Sequence, residues 1–289
     1  MQFRRFGVKQ EYLQGSTPPE LFFVLGAISQ YLGAALAFNL FDDLGVGMVA
    51  TLRVIGAAII LIMLRRSWNR SFNDLDVYWT AAFGIVLAAM NLCFYLAINE
   101  LPLGNAVAIE FIGPIAVAAA GRRSARNLSS LLLAALGVLL LAEVTPEGSI
   151  VGFIFALSAG MFWALYIILG SKVARTGAHL DGLGIGMLIG GLVISPASFG
   201  SFDHFVDSPL LILLALLTGF LANVIPYGID QIVFRKISKS RFAFLQSLLP
   251  ATAMCVGIIA LQQRPSVEEL FGIGLIIFAI VLRGRENED

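Results

Sequence analysis

Arg53 and Glu110, of opposite sign, read as lying deep inside long apolar stretches. The rest of the 19 basic and 19 acidic residues read as sitting between such stretches or at the ends. An ionisable group in hydrocarbon costs at least about 2.5–3.5 kcal/mol, so it marks a functional position by default. Arg53 precedes Arg65 by 12 residues and Glu110 precedes Gly121 by 11. At a helical rise of 1.5 Å per residue, each side chain lies about 16–18 Å from the same edge. That shared depth admits two readings. One is a structural ion pair pinning two helices together, although a buried pair stabilises poorly compared with apolar packing. The other is a shared ligand in a water-filled cavity. A zwitterionic amino acid would set its carboxylate on the planar fork of Arg53 and its ammonium near Glu110. Glu110 would also suit a coupling proton, because desolvation favours the neutral acid.

Polar companions recur at helical spacing. Asn91 and Tyr95 are four apart, hence on one face, and Asn99 extends that face. Trp163 and Tyr166 are three apart, Asn223 and Tyr227 four apart, and Gln246 stands alone in a later stretch. Each reads either as interhelical hydrogen-bonding glue or as cavity lining. Pro114 and Pro250 break their helices part-way, which is tolerated only against protein or a cavity. Gly182, Gly186 and Gly190 share one face and predict close helix packing. Tyr78 and Trp79, near the end of a stretch, read as interfacial anchors.

The elements that must position these residues are long apolar helices. The chain of 289 residues is 58% hydrophobic and 13% charged, with a mean hydropathy of +0.87. A soluble domain carries about 25% charged residues. Ten stretches fall at about 20–40, 44–64, 75–99, 102–121, 127–142, 148–172, 178–199, 208–231, 238–262 and 266–283. The fifth and tenth are the shortest for a membrane crossing, which takes roughly 17–25 residues. Basic residues gather in alternate gaps: Arg4, Arg5 and Lys9; Arg65, Arg66 and Arg70; Arg122, Arg123 and Arg126; Lys172 and Arg175; Arg235, Lys236, Lys239 and Arg241; Arg283 and Arg285. The opposite gaps hold Arg264 alone. Positive-inside bias of this strength puts both termini in the cytoplasm. The expected fold is an all-α membrane protein of ten transmembrane helices, arranged as two inverted five-helix repeats. The expected segments are a cytoplasmic N-terminal segment (1–19), a first repeat (20–145), a second repeat (146–283) and a cytoplasmic tail (284–289). The N-terminal basic segment and its apolar follower read as a retained first helix rather than a cleaved signal. A gap-free alignment of Phe94–Pro114 on Asp230–Pro250 sets Glu110 over Gln246 and Pro114 over Pro250. Inverted repeats of this kind place a binding site near the midplane.

Other function classes fit poorly. The two histidines, His179 and His204, read as lying in loops on opposite sides of the membrane, and no HExxH or Cys/His cluster is present. No catalytic metal, intramembrane Ser–His nucleophile or cofactor is expected. The run GLGIGMLIGG lacks the βαβ context of a nucleotide loop. Cys93 and Cys255 read as small packing residues. Zero net charge without a basic run argues against nucleic acid.

The run from Met90 to Ala119, MNLCFYLAINELPLGNAVAIEFIGPIAVAA, carries a family likeness, together with VATLR ending at Arg53, FWALYIILG at Phe162–Gly170 and IPYGID at Ile225–Asp230. It resembles the RhtA-type threonine and homoserine exporters, in the EamA group of the drug/metabolite transporter superfamily. The resemblance covers nearly the whole chain. It implies a ten-helix inner-membrane carrier that exports small neutral amino acids (threonine, homoserine, serine) on the proton gradient. Arg53, Asn91, Tyr95, Glu110, Trp163 and Tyr227 match the family's pattern. Helix 9 departs from it, with Leu249 where such proteins often have Glu before the proline, and Gln262-Gln263 where they often have Gly-Glu. The expected substrate-binding set is Arg53, Asn91, Tyr95, Glu110, Trp163, Asn223, Tyr227 and Gln246, with Glu110 as proton-coupling residue. Expected partners are a small-molecule substrate, the proton and the lipid bilayer. The alternatives are a carrier of another small metabolite or drug, and a non-transporting membrane sensor or accessory subunit.

Overall fold

In a computed structural model, residues 18–38, 40–69, 76–101, 106, 109–121, 124–141, 149–176, 179–199, 209–249, 252 and 266–284 are described. Pro250, Cys255, His204, Gln262 and Gln263 lie outside the described residues. So do Arg4, Arg5, Lys9, Arg70, Arg122, Arg123, Arg264 and Arg285. Among the described residues there is no strand. Helices occur within each of the ten apolar stretches: α1 (Pro19–Phe38), α2 (Val46–Arg65), α3 (Val77–Glu100), α4 (Ile112–Ala119), α5 (Ala125–Leu141), α6 (Ile150–Ala174), α7 (His179–Ile194), α8 (Pro209–Val233), α9 (Lys239–Leu245) and α10 (Val267–Gly284).

Local chemistry sets the helix ends. Asp76, Ser149 and Ser238 cap α3, α6 and α9 by accepting from the backbone N–H of Trp79, Gly152 and Arg241. Such caps satisfy N–H groups that a helix start leaves open. At the far end of α2, Arg66 adopts the left-handed conformation (φ 53°) and its N–H closes on the carbonyls of Ile62 and Met63. Pro114 cannot donate to the carbonyl of Glu110, four residues earlier, and α4 is interrupted by a turn at Phe111. In α9 the helix gives way to a turn at Gln246 and Ser247.

Among the described residues, five helices are long and apolar enough to cross a membrane. These are α2, α3, α6, α8, and α7 with its 3₁₀ extension to Ser198. Among the described residues α4 and α9 span eight and seven residues, and parts of the fourth and ninth stretches lie outside the described residues. His179 begins α7 and is buried, so it does not lie in a loop as the sequence suggested.

Small residues govern the packing. Gly186 and Gly190 of α7 lie against Thr80, Gly84 and Ala88 of α3, while Gly184 and Gly191 turn towards Leu61, Ile62 and Ile55 of α2. The glycine face read from the sequence thus has α3 as its partner, and α7 wedges between α2 and α3. Gly113 of α4 meets the carbonyl of Gly160 on α6, and Gly33 of α1 meets Ala222 of α8. The interior is apolar, and so are the outward faces of the packed helices, unlike those of a soluble protein. Leu128, Leu132, Leu136 and Leu139 of α5 are exposed, as are Ile150, Ile154, Leu157, Met161, Leu165 and Ile168 of α6. Both series step by three or four residues, so each is one outward helical face.

Basic residues tie helix ends together at one end of the bundle. Arg65, ending α2, pairs with Asp181 at the start of α7 (3.4 Å), and Arg241 of α9 pairs with Glu20 of α1 (3.5 Å). Lys172 Nζ lies 3.1 Å from the ring centroid of Trp79, and Arg126 Nε donates to the Leu282 carbonyl at 2.6 Å.

A Cβ at Gly84 would overlap the Gly186 carbonyl, which is backbone and cannot swing aside, whereas at Gly274 it would meet nothing within 4 Å. Gly84→Leu is therefore expected to lower the melting temperature, with an overpacking cost of about 1–3 kcal/mol or more. Gly274→Ala is expected to leave it unchanged. Equal melting temperatures for the two variants would refute the close α3–α7 contact.

Candidate functional site

The middle of α8 explains where the polar residues meet. Phe220–Val224 is a π-helical turn, with the Ile225 N–H reaching the Phe220 carbonyl, and Pro226 follows directly. Pro226 has no N–H, so the Ala222 carbonyl at helical spacing and the Leu221 carbonyl at π spacing both lose a donor. Two side chains replace it. Ser29 Oγ of α1 donates to the Leu221 carbonyl at 2.6 Å, and an Arg53 terminal nitrogen of α2 donates to the Ala222 carbonyl at 3.3 Å.

Arg53 is buried, 4% exposed, and is satisfied by uncharged groups. Its Nε donates to Asn223 Oδ1 at 2.8 Å, its other terminal nitrogen to the Tyr95 hydroxyl, and its guanidinium carbon lies 5.2 Å from the Tyr95 ring centroid. Asn223 returns a bond from Nδ2 to the Arg53 carbonyl at 3.3 Å. One turn along both α3 and α8, Asn91 Nδ2 donates to the Tyr227 hydroxyl at 3.0 Å. The four-residue spacings seen in the sequence thus form two rungs between α3 and α8. Arg53, Asn91, Tyr95, Asn223 and Tyr227 are all buried.

Glu110 is not part of the Arg53 group. Among the described residues no ion pair joins the two. Arg53 turns to the carbonyl that Pro226 leaves open on α8, while Glu110 sits at the break of α4 against Gly160 of α6. Glu110 does interact electrostatically with Tyr31 of α1 and Tyr227 of α8, so it borders the second rung. Trp163 packs edge-on against Phe111, next to Glu110, at 5.9 Å between centroids. Gln246 is buried at the turn that ends α9. Asn99 is exposed at the end of α3 and takes no part.

A further carboxyl completes the arrangement. Asp230 lies inside the eighth apolar stretch and is 9% exposed, which corrects the expectation that Arg53 and Glu110 alone lie deep. Its Oδ2 accepts from the Tyr166 hydroxyl at 2.7 Å, and the Tyr166 ring sits 5.4 Å from that of Tyr227. The signal was present in the sequence: Asp230 follows Tyr227 by three residues, on the same helical face. Among the described residues no group of three or more His, Cys, Asp or Glu side chains could hold a metal ion.

An uncompensated guanidinium with neutral hydrogen-bond partners can exchange those partners for a carboxylate, whose charge-assisted bonds are roughly twice as strong. A double-mutant cycle tests the local arrangement through Arg53→Met, Asn223→Leu and Glu110→Met. The Arg53–Asn223 coupling is expected at about 1.5–3 kcal/mol, the range for hydrogen bonds to charged groups. The Arg53–Glu110 coupling should stay below about 0.5 kcal/mol, as for residues without contact. Comparable couplings for the two pairs would contradict this geometry.

Comparison with known proteins places this arrangement in context. The model of the EamA-like transporter family matches residues 150–284. The threonine/homoserine exporter RhtA of Escherichia coli is 32% identical over 250 residues, covering 86% of this chain and 84% of that protein. The threonine/homoserine exporter RhtA of Salmonella typhimurium is 30% identical over 264 residues, covering 90% and 89%. A protein crystal structure superposes with a TM-score of 0.70 at 15% identity, covering 91% of this chain and 95% of that one, a likeness of fold alone.

Proposed function

The chain belongs to the EamA-like transporter family of multi-pass membrane proteins, and from that premise we propose that it exports small neutral amino acids, such as threonine, homoserine or serine, across the bacterial inner membrane coupled to protons. The observation that carries this reading is the buried Arg53 guanidinium, held by Asn223, Tyr95 and a backbone carbonyl, with no ion-pair partner among the described residues. A buried cation of that kind is a socket for a carboxylate. The substrate carboxylate takes the fork now bonded to Tyr95 and Asn223. The ammonium turns to Glu110, and protonation of Glu110 releases it, which links substrate to proton. Asn91, Tyr227, Trp163 and Gln246 complete the wall. The two exporters named above carry threonine and homoserine in their descriptions, which supports this substrate class.

Two inverted five-helix repeats, 20–145 and 146–283, supply the alternating access. The packing supports this. Exchanging each helix for the one five places away turns the α3–α6 contact into α8–α1 and α3–α7 into α8–α2, and returns α2–α7, α4–α9 and α5–α10 to themselves. Glu110 and Gln246 stand at the interruptions of α4 and α9, as the sequence alignment pairs them. The clustering of the basic contacts Arg65–Asp181, Arg241–Glu20 and Lys172–Trp79 at one end supports reading that end as cytoplasmic.

In proteoliposomes, labelled threonine or homoserine is expected to exchange across the membrane and to be driven by an imposed pH gradient. Glu110→Gln should abolish the gradient-driven component while leaving part of the exchange. Exchange of no amino acid, with flux of another carboxylated metabolite, would move the substrate assignment. Undiminished gradient dependence in the variant would leave Glu110 a structural role only.

Topology is tested by cysteine labelling in intact cells. A cysteine at the exposed Asn69 should react only from the cytoplasm and one at the exposed Asp42 only from outside. Labelling of both from one side would overturn the ten-helix arrangement.

A further inference from the structure

We propose that Asp230 is a second proton-binding site, distinct from the substrate position, and that its protonation holds the helices closed over Arg53. The inference rests on the carrier reading above but concerns closure rather than substrate.

The geometry is a ladder along α3, α6 and α8. Tyr95 and Asn223 meet at Arg53, Asn91 and Tyr227 meet one turn further on, and Tyr166 links Tyr227 to Asp230. Tyr166 is fully buried, with its ring 5.4 Å from Phe83 of α3 at an interplanar angle of 28°. The ladder therefore joins α3 to α8 through Arg53 and through Asn91–Tyr227, and brings in α6 at Tyr166, with Arg53 buried behind it.

Asp230 closes the ladder with a carboxyl that has a single protein donor. Oδ2 accepts from Tyr166, and among the described residues Oδ1 has no hydrogen-bond partner and no cation pairs with the group. The titratable groups on the packed elements are accounted for elsewhere. On α1, Glu20 pairs with Arg241, and Tyr31 lies in the field of Glu110. On α7, Asp181 pairs with Arg65, and His179 lies in the field of Arg235, Arg65 and Asp181. On α6, Lys172 is over Trp79, Arg175 is exposed, and Tyr166 is the one direct partner. On α8 itself, Tyr227 is bonded to Asn91, and Arg235 is exposed.

An ionised carboxylate in this position is buried without a counter-charge, which opposes closure. A proton from water adds to Oδ1 and gives the neutral acid, with Tyr166 keeping its own proton and its bond to Oδ2. Closure then buries a neutral pair. On opening, the proton leaves Oδ1 for water on the side to which the site has opened. The residual 9% exposure of Asp230, against none for Tyr166, is the proton's way in. Proton linkage sets the sign. The closed state binds the extra proton, so low pH favours closure, and rising pH favours opening by up to about tenfold per pH unit.

The test is hydrogen–deuterium exchange on the intact protein in nanodiscs, without substrate, comparing variants at the same pH so that intrinsic amide rates cancel. Peptides spanning the π turn of α8 and residues 87–95 of α3 report closure. Asp230→Asn keeps an acceptor for Tyr166 and is permanently neutral. It should match wild type at acid pH and exchange several-fold more slowly at alkaline pH. Asp230→Glu should restore the pH dependence with a displaced midpoint, and Tyr166→Phe should open the segment at every pH. Asp230→Asn and wild type coinciding at all pH values, or Asp230→Asn opening faster, would overturn the proposal. Because no amino acid is present, a wild type that closes with pH but moves no amino acid would sink the substrate assignment and leave Asp230 in place.

Discussion

The polar centre is built around two carbonyls of α8 from which Pro226 withholds a donor. Pro226 removes the donor that Ala222 and Leu221 would use, at the α and π spacings that meet in the Phe220–Val224 turn. In a bilayer no water replaces it, and each open carbonyl costs several kcal/mol. Ser29 and Arg53 fill the two positions, which draws α1 and α2 against the same turn of α8. Arg53 then owes its place to a backbone defect rather than to a carboxylate. Its remaining donors point at Asn223 and Tyr95, the groups a bound anion would displace. One missing N–H thus explains both why a charge is buried here and why its partners are neutral.

The contacts that surround this centre suit motion. Gly84 with Gly186 and Gly113 with Gly160 bring backbones together with no side chains interlocked between them. Such surfaces resist insertion of a methyl group but offer little resistance to sliding. By contrast, the aromatic contacts among Phe23, Phe234, Phe242 and Tyr166 lie toward the basic end of the bundle, where Arg241 and Glu20 pair. Aromatic packing at one end and glycine faces along the helices are compatible with the proposed rocking of two halves. The outward faces, lined by leucine and isoleucine, impose no barrier to such movement in lipid.

Much of this was legible in the sequence because it depends on periodicity within a helix. The ten stretches, the glycine face of α7, the break at Pro114 and the four-residue spacings of Asn91–Tyr95 and Asn223–Tyr227 are intrahelical facts. What periodicity cannot supply is the register between helices. Equal distances from helix ends give Arg53 and Glu110 a shared depth, which admits a pair or a shared ligand; in the structure the two make different contacts, because depth alone says nothing of rotation about each helix axis. Asp230 follows Tyr227 by three residues, which puts the two on the same face of α8. Its significance needed Tyr166 of α6, which only the packed structure brings to 2.7 Å.

The departures in α9 then acquire a physical sense. Under the repeat relation proposed above, Glu110 answers to Gln246, and the residue before Pro250 is Leu249 rather than an acid. A symmetric pair of carboxyls around Arg53 would let a zwitterion bind with its ammonium towards either half. Neutral Gln246 and apolar Leu249 remove that choice, leaving one acidic position on the substrate's side and one, Asp230, at the far end of the ladder. A substrate with a single carboxylate and a single ammonium has one orientation in such a site. Under the proposed export, breaking the charge symmetry of two related halves would orient the substrate, while the proposed backbone relation between the halves would still let the site open to either side.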